Sequence, residues 1–388
     1  MKTRKLFYED CHLRHFSATV TGCRETESGW QITLDATAFY PEGGGQACDH
    51  GTLGSARVLD VREQGDEIIH LCDRDLPVGS TVEGMIDWDR RFDLMQQHSG
   101  EHILSGLVNR KYGFHNAGFH VGKDVMEIDF DGIIPAGDIS ELELAANRAV
   151  WADLPVHCHI PAEEDLSNIP YRTKRTLPWP VRLVQIPDTD SCACCGVHVA
   201  RTGEIGLIKI LSCVKFHQGV RLELVCGKRA WDYLQGVFQQ NRQVSQLLSA
   251  KPLETADGAK RMQDALAAEK FRCTQLQKQI MGSIVKSYVN HTNVLHFEEG
   301  LEPGQVRELT DRISRVCTGC AAVFSPREEG FSYCLATQRG DLRQLAMDMN
   351  TALSGRGGGK PNFQQGTVAS GEDRIRQFFE TVKEKEYA

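Results

Sequence analysis

The sequence lacks a long apolar run. Its most apolar stretches, such as GEIGLIKILSCV at 203–214, are too short and too interrupted by polar residues to give the roughly 20 consecutive apolar residues of a membrane helix. The basic start, MKTRKLFYEDCHLRHF, has no apolar core of the kind that a secretory signal needs. We therefore expect no membrane partner and a cytoplasmic location.

The chain also has no excess of positive charge. It carries 44 Lys and Arg against 52 Asp and Glu, a formal net charge of −8. This balance argues against a protein that coats nucleic acid by bulk attraction, because such binding is driven by neutralising phosphates. Any contact with nucleic acid must then be local, and the candidate basic stretches are YRTKRTLPWPVR at 171–182 and SGRGGGK at 354–360.

No internal repeat is visible, and a length of 388 residues predicts two or three domains. Short alternating runs such as GWQITLD and EIIHLC indicate strands, whereas the spacing of apolar residues after position 90 indicates helices. The predicted fold class is α+β, with a β-rich, barrel-like domain at 1–88, an α+β domain at 89–226, a helical or coiled-coil arm at 227–290 that breaks near Pro252, and a small C-terminal α/β domain at 291–388.

Cysteine is plentiful, with 14 in the chain. Without an export signal, we expect reduced thiols that are buried or available to a metal. The cluster of Cys192, Cys194 and Cys195 needs an explanation.

The pentapeptide HSGEH places His98 and His102 four residues apart in a helix predicted from Arg90 to Tyr112. Both imidazoles then point the same way, as in a two-ligand clamp for zinc. Further along, CCGVH adds Cys194 and His198 as a Cys-x-x-x-His pair. Because thiolate and imidazole together form a soft tetrahedral set, the two pairs favour a zinc site over coincidence.

The same pentapeptide allows other interpretations. HSGEH fits the His-x-x-Glu-His pattern of inverted zinc proteases, in which Glu101 would be the general base. Glu101 could instead face away from the histidines and be solvated or bonded locally. The protease pattern does not require a Cys-x-x-x-His pair, which weakens this alternative. A noncatalytic RNA-binding protein with a structural zinc is a third interpretation.

A glycine run occurs in FYPEGGGQACDHG, at 39–51. The backbone of Gly43, Gly44 and Gly45 can pass close to a ligand and present its amides, and Gln46 offers a donor and an acceptor. The alternative is a tight loop between two strands.

Taken together and in order, FYPEGGGQ, HSGEH, CCGVHVARTGEIG and SGRGGGKPNFQQG resemble the alanyl-tRNA editing family. This family comprises the editing part of alanyl-tRNA synthetase and the free-standing AlaX proteins, and the likeness is greatest to the long form of AlaX. The resemblance implies hydrolysis of Ser-tRNA(Ala), and often of Gly-tRNA(Ala), while Ala-tRNA(Ala) is spared. Since no aminoacylation module precedes the β-rich domain, we expect a trans-acting deacylase.

The resemblance also implies roles for particular residues. Zinc would be bound by His98, His102, Cys194 and His198, with Cys192 and Cys195 as nonligands. His98, His102 and Gln46 would serve catalysis, Gly43 to Gln46 would border the substrate pocket, and Thr202 to Gly206 would support the zinc strand. Arg356, Gly357, Gly358, Gly359 and Lys360 would contact tRNA(Ala), and the helical arm with the C-terminal domain could form a homodimer.

Overall fold

The structure is a computed structural model that describes residues 2–173 and 177–382. The chain divides into two compact units, Met1–Gln243 and Val244–Ala388. Residues 174–176, at the centre of the basic stretch predicted at 171–182, lie outside the described residues. Within the described ranges, no helix is long and apolar enough to cross a membrane.

The first unit opens with a closed barrel of six strands, in the order β2-β3-β7-β6-β5-β8. Buried and exposed side chains alternate along the barrel strands, as expected for a sheet with one face in the core. Along β8, Val82 and Ile86 are buried, whereas Thr81 and Glu83 are exposed. The barrel strands are β2 (His15–Thr26), β3 (Gly29–Leu34), β5 (Gly51–Leu53), β6 (Ala56–Gln64), β7 (Glu67–Cys72) and β8 (Thr81–Ile86), while β1 (Arg4–Lys5) pairs with β4 (Ala36–Thr37) and α1 (Leu6–Glu9) follows β1.

Helix α2 (Trp88–Tyr112) carries the HSGEH pentapeptide. It begins after Asp87, whose side chain accepts a hydrogen bond from the amide of Arg90, and it ends at Gly113 in the left-handed conformation. Its central part is buried all round, from Leu94 to Val108. A Cβ on Gly100 would lie 2.3 Å from Cys226 Sγ, so glycine lets this helix approach a neighbouring strand closely.

An antiparallel sheet in the order β14-β15-β10-β9 packs beside α2. A smaller sheet, β11-β12-β13, precedes the CCGVH segment. The remaining elements of this part of the chain are β9 (Asn116–Val121), β10 (Met126–Phe130), α3 (Ile139–Trp151), β11 (His157–His159), α4 (Glu163–Leu166), β12 (Leu183–Ile186), β13 (Asp190–Ala193), β14 (Ile208–Phe216), β15 (Gly219–Cys226) and α5 (Gly227–Leu247), with 3₁₀ turns at Ala136–Asp138 and Thr202–Ile205.

The second unit has a five-stranded sheet in the order β16-β17-β18-β20-β19. Its two faces have separate cores: Phe324 and Leu335 pack with Met349 of α8, whereas Val323 and Cys334 pack with Leu309 of α7. The elements are α6 (Thr255–Ser287), β16 (Val294–Phe297), α7 (Pro303–Ser314), β17 (Cys320–Pro326), β18 (Phe331–Thr337), α8 (Arg343–Ala352), β19 (Gly355–Lys360), β20 (Phe363–Val368) and α9 (Glu372–Val382).

The SGRGGGK segment contains three consecutive glycines, a composition typical of a flexible turn, but it is a strand in the structure. It forms β19, the edge strand of this sheet. A Cβ on Gly357 would lie 2.5 Å from Tyr333 Oη, and one on Gly359 would lie 2.2 Å from the carbonyl oxygen of Phe363. Gly357 and Gly359 therefore allow a close approach between strands and do not form a bend.

The α+β prediction is confirmed, as is the helix expected from Arg90 to Tyr112. The helical region after residue 227 breaks where Pro252 predicted, between α5 and α6. The division into four domains stays a prediction. Met281, near the end of α6, is buried in the core that contains Val294 and Leu309, so this end of the helix packs with the C-terminal sheet.

Candidate metal centre

Two segments distant in sequence bring four potential ligands together. Helix α2 supplies His98 and His102, and the loop after β13 supplies Cys194 and His198. One ligand atom from each side chain lies within 4.8 Å of the others, and each histidine is only 2% exposed. The two pairs predicted from spacing therefore meet at one buried point.

The donor set fits zinc. Tetrahedral zinc has Zn–N distances of about 2.0–2.1 Å and Zn–S of about 2.3 Å, which places its ligand atoms roughly 3.3–3.7 Å apart. Cys194 Sγ lies 3.4 Å from His98 Nε2. His198 Nε2 is buried and has no hydrogen-bond partner among the described residues. A metal ion is the partner that would satisfy this nitrogen, because an unpaired buried polar atom is unfavourable.

The second nitrogen of each imidazole has its own neighbour. His98 Nδ1 lies 2.9 Å from Gln46 Oε1, His102 Nδ1 lies 2.8 Å from Asp190 Oδ2, and His198 Nδ1 lies 3.4 Å from Ser99 Oγ. Such contacts fix the ring orientation and leave Nε2 as the ligand atom.

Asp190 is a supporting residue that the sequence did not reveal. Its buried carboxylate accepts hydrogen bonds from Arg172 Nε at 2.7 Å and from Arg172 Nη2 at 2.8 Å, besides its contact with His102. Burial raises the pKa of Asp190, but the hydrogen bonds from His102 and Arg172 outweigh it and the net shift is downward. An ionised Asp190 makes His102 a better ligand.

The thiol of Cys194 is prepared for metal binding. Burial alone would raise its pKa, but the charge of His98 and the nearby imidazoles of His102 and His198 lower the pKa well below its usual 9.0. The amide of Gly196 also donates to Cys194 Sγ at 3.3 Å.

Arg182 and Tyr8 fix the backbone of the cysteine loop, and neither was predicted. Arg182 Nη1 donates to the carbonyl oxygens of Cys194 at 3.0 Å and of Gly196 at 2.8 Å. Tyr8 Oη donates to the carbonyl oxygen of Cys195 at 2.6 Å, and the guanidinium of Arg182 lies over the tyrosine ring. These contacts hold the loop in one conformation.

The predicted glycine loop borders the centre. Gly44 and Gly45 have φ of 58° and 81°, which glycine adopts readily. A Cβ on Gly44 would lie 3.0 Å from Cys195 Sγ, and one on Gly45 would lie 2.5 Å from the ring of Phe119, which stacks on His98. The loop therefore touches both the cysteine loop and the wall of the centre.

A buried ion pair ties this loop to α2. Arg91 Nε donates to Asp49 Oδ1 at 2.9 Å, and both side chains are 0% exposed. Asp49 also accepts the amide of Tyr40 at 2.6 Å, and Arg91 Nη2 donates to the carbonyl oxygen of Ala38 at 2.6 Å. The loop is thus fixed to the helix that carries the histidines.

Glu101 is not solvated. It is 5% exposed, and its Oε1 accepts hydrogen bonds from Ser105 Oγ and Asn116 Nδ2, each at 2.5 Å. Its Oε2 lies 3.9 Å from His102 Nε2, so the carboxylate flanks the centre.

The other predicted residues have varied positions. Thr202 is buried and donates to the carbonyl oxygen of Ala149 at 2.7 Å, within the 3₁₀ turn next to α2. Cys195 is exposed, whereas Cys192 lies beside His102 and Asp190. Arg356 to Lys360 lie on β19 of the second unit.

Comparison with known proteins places these features in a family. A family model described as "Threonyl and Alanyl tRNA synthetase second additional domain" matches residues 181–222, which include Cys194 and His198. A second model, "tRNA synthetases class II (A)", matches residues 3–90. Alanyl-tRNA editing protein Aarsd1 from Danio rerio is 30% identical over 272 residues, which cover 66% of this chain and 66% of that protein. The chain belongs to the alanyl-tRNA editing family.

The family includes much longer proteins. Alanine–tRNA ligase from Thermofilum pendens is 32% identical over 388 residues, covering 94% of this chain but 42% of the ligase. The chain thus spans less than half the length of such ligases. Among solved structures, the C-Ala domain from Aquifex aeolicus alanyl-tRNA synthetase covers 25% of this chain and 91% of that domain, at 19% identity and a TM-score of 0.23, which is too weak a likeness to carry an argument.

Proposed function

We propose that this chain is a trans-editing aminoacyl-tRNA deacylase that hydrolyses Ser-tRNA(Ala), and also Gly-tRNA(Ala), with zinc bound by His98, His102, Cys194 and His198. The observation that carries the proposal is the buried convergence of these four side chains, with His198 Nε2 unpartnered in the described chain, beside a glycine loop. The membership of the chain in the editing family supports the same activity.

The reaction is ester hydrolysis, in which water attacks the aminoacyl carbonyl and the ribose hydroxyl leaves. Zinc at this centre would supply a positive charge that polarises the substrate or holds it in place. Gln46 has two tasks in the proposal. Its Oε1 holds His98 and accepts the amide of Val197 at 3.2 Å, which leaves Nε2 as a free donor within the described chain. That N–H group can stabilise negative charge that develops on the carbonyl oxygen.

Editing at a separate site answers a selectivity problem. A synthetic pocket for alanine cannot strongly exclude serine, because a small added hydroxyl is poorly rejected by an apolar site. A second site that admits serine and glycine esters but spares alanine esters supplies the missing discrimination.

The partner in this proposal is tRNA(Ala) mischarged with serine or glycine. Arg356 and Lys360 flank the glycines of β19, where an exposed edge strand lets phosphate approach the backbone. The homodimer predicted through the helical arm stays a prediction. It is supported by apolar side chains that α6 leaves exposed, namely Met262, Leu266, Phe271, Leu276 and Ile280.

The test is deacylation of tRNA(Ala) charged with serine, glycine or alanine, with and without a chelator. We expect rapid, chelator-sensitive hydrolysis of the Ser and Gly esters and little of the Ala ester. Cys194→Ala should lose metal and activity together, whereas the adjacent exposed Cys195→Ala should keep both. Zinc-dependent proteolysis that Glu101→Gln abolishes would support the peptidase alternative instead, and tRNA binding without any hydrolysis would support the noncatalytic one.

A further inference from the structure

Glu101 Oε2 lies beside His102, and the amide of Asn116 contacts the same carboxylate. We call the two oxygens Glu101 Oε2 and Asn116 Oδ1 the acceptor corner. Both residues are buried, at 5% and 7% exposure. The hydrogen bonds that the described residues donate to this carboxylate go to Oε1, from Ser105 and Asn116. Oε2 remains, 3.9 Å from the ligand nitrogen of His102. The corner thus holds an anionic oxygen next to the centre.

The orientation of the Asn116 amide follows from its neighbours. Nδ2 lies 2.5 Å from Glu101 Oε1 and 3.4 Å from Ser105 Oγ. With the amide reversed, two acceptor oxygens would meet at hydrogen-bond distance, so Nδ2 must be the atom that faces the carboxylate. Oδ1 is then an acceptor, and it is buried with no partner in the described part of the chain. Because a buried acceptor without a hydrogen bond is unfavourable, a donor from a bound ligand would stabilise this atom.

Gln46, which contacts His98, offers a hydrogen-bond donor instead of an acceptor. The amide of Val197 can only donate, so its hydrogen bond to Gln46 fixes the acceptor oxygen of that side chain and leaves Nε2 as a buried, unpaired donor within the described ranges. The centre therefore has the Glu101 carboxylate oxygen near His102, the neutral acceptor of the Asn116 amide that contacts Glu101, and the donor of Gln46, whose side chain contacts His98.

This pattern selects the chemical class of the ligand. An ammonium group carries positive charge and three N–H donors, whereas the hydroxyl of serine offers one donor and no charge. An α-aminoacyl ester has an ammonium group that one carbon separates from its carbonyl group, so it matches acceptors on one side and a donor on the other. We propose that Glu101 and Asn116 bind the α-ammonium group of the aminoacyl ester, an inference that rests on the proposed deacylase function.

The experiment compares two substrates that differ only at that nitrogen: Ser-tRNA(Ala) and N-acetyl-Ser-tRNA(Ala). A hydrogen bond to a charged group contributes enough for a preference of about 10- to 100-fold, so the wild type should hydrolyse the free amine faster by that factor. Glu101→Gln should reduce the preference to about threefold or less, through slower hydrolysis of the free-amine ester. The same substitution on the outer face of the barrel, Glu83→Gln, should keep the wild-type preference.

The outcomes separate this inference from the function on which it rests. If the wild type hydrolyses neither ester, the proposed function fails. Equal rates on both esters would overturn the ammonium site and leave the proposed deacylase function standing. The same conclusion would follow if Glu101→Gln bound zinc and kept the wild-type preference for the free-amine ester. Should Glu101→Gln not bind zinc, Asn116→Leu keeps the carboxylate of Glu101 but removes Asn116 Oδ1, together with the Nδ2 donor to Glu101 Oε1. This variant should lower the preference by about 2- to 10-fold, and an unchanged preference there would also overturn the inference.

Discussion

Gly196 lies between the cysteine and histidine of the CCGVH segment, where there is no room for a side chain. A Cβ at this position would lie 2.2 Å from His98 Cε1 and 3.1 Å from Gln46 Oε1. The backbone of the loop is held by Arg182, so it cannot move away freely. A methyl group must therefore displace the His98 ring or break its contact with Gln46.

We predict that Gly196→Ala lowers zinc occupancy and reduces deacylation by about 100-fold, the usual consequence of misplacing a reacting group by about 1 Å. Zinc content by atomic absorption and single-turnover rates measure the two effects. Gly236→Ala is the matched control, because the described chain has no atom within 4 Å of its Cβ position. Full zinc occupancy and normal rates in Gly196→Ala would show that the loop is looser than the structure indicates.

At the scale of single residues, local spacing predicted the four candidate ligands that the structure brings together, whereas contacts between distant parts of the chain could not be predicted. His98 and His102 follow from helical periodicity, and Cys194 and His198 from their pairing. Asp190 has no such signal, because it meets His102 across 88 residues of chain. Asn116 and Arg172 were missed for the same reason: their partners depend on how strands and loops pack around α2.

At the scale of elements, an ion pair that is shielded from water links α2 to the glycine loop. Arg91 and Asp49 are both 0% exposed, and the pair holds the loop that ends in Gln46 against the helix that carries His98. Removing one partner of such a pair leaves a buried charge without compensation, which destabilises a protein by about 3–5 kcal/mol.

Arg91→Met should therefore lower the free energy of unfolding of the first unit by about 3–5 kcal/mol, seen as an earlier urea transition of the full chain. Adding Asp49→Asn to this variant should recover part of the loss, because no unpaired charge then remains. Arg57→Met changes an exposed arginine of the barrel and should have little effect. A loss in the double variant equal to the sum of the two single losses would show that the pair is not coupled.

Elements were predicted best where periodicity was long. The helical spacing along the 25 residues of α2 gave a clear signal, as did the alternation of EIIHLC, which forms β7. The SGRGGGK segment did not, since three consecutive glycines favour a turn on composition alone. Its strand pairs with β20, and β20 and Tyr333 leave no room for a Cβ on Gly357 or Gly359, a constraint that exists only in the folded sheet.

At the scale of the whole molecule, the proposed function requires an acidic protein to bind an acidic partner. With a net charge of −8, the chain gains no general attraction for tRNA, so binding must depend on a few local cations. Arg356 and Lys360 are exposed on β19, and the glycines between them leave the strand edge open to a phosphate backbone. We expect these two side chains to supply a large share of the salt-dependent affinity.

Replacing both, as Arg356→Ser with Lys360→Ser, should weaken binding of whole tRNA(Ala) by about 10-fold at low salt and reduce the slope of log K against log salt by about 1.4–1.8, since each lost phosphate contact removes about 0.7–0.9. Zinc content and hydrolysis of a short aminoacylated acceptor stem should stay unchanged, because the proposed metal ligands belong to the first unit. Fluorescence anisotropy across a salt series measures the slope. Arg24→Ser with Arg57→Ser removes the same charge from the exposed outside of the barrel and should leave the slope as it was. If both double variants lowered the slope equally, general charge would govern tRNA binding, and β19 would have no special part in it.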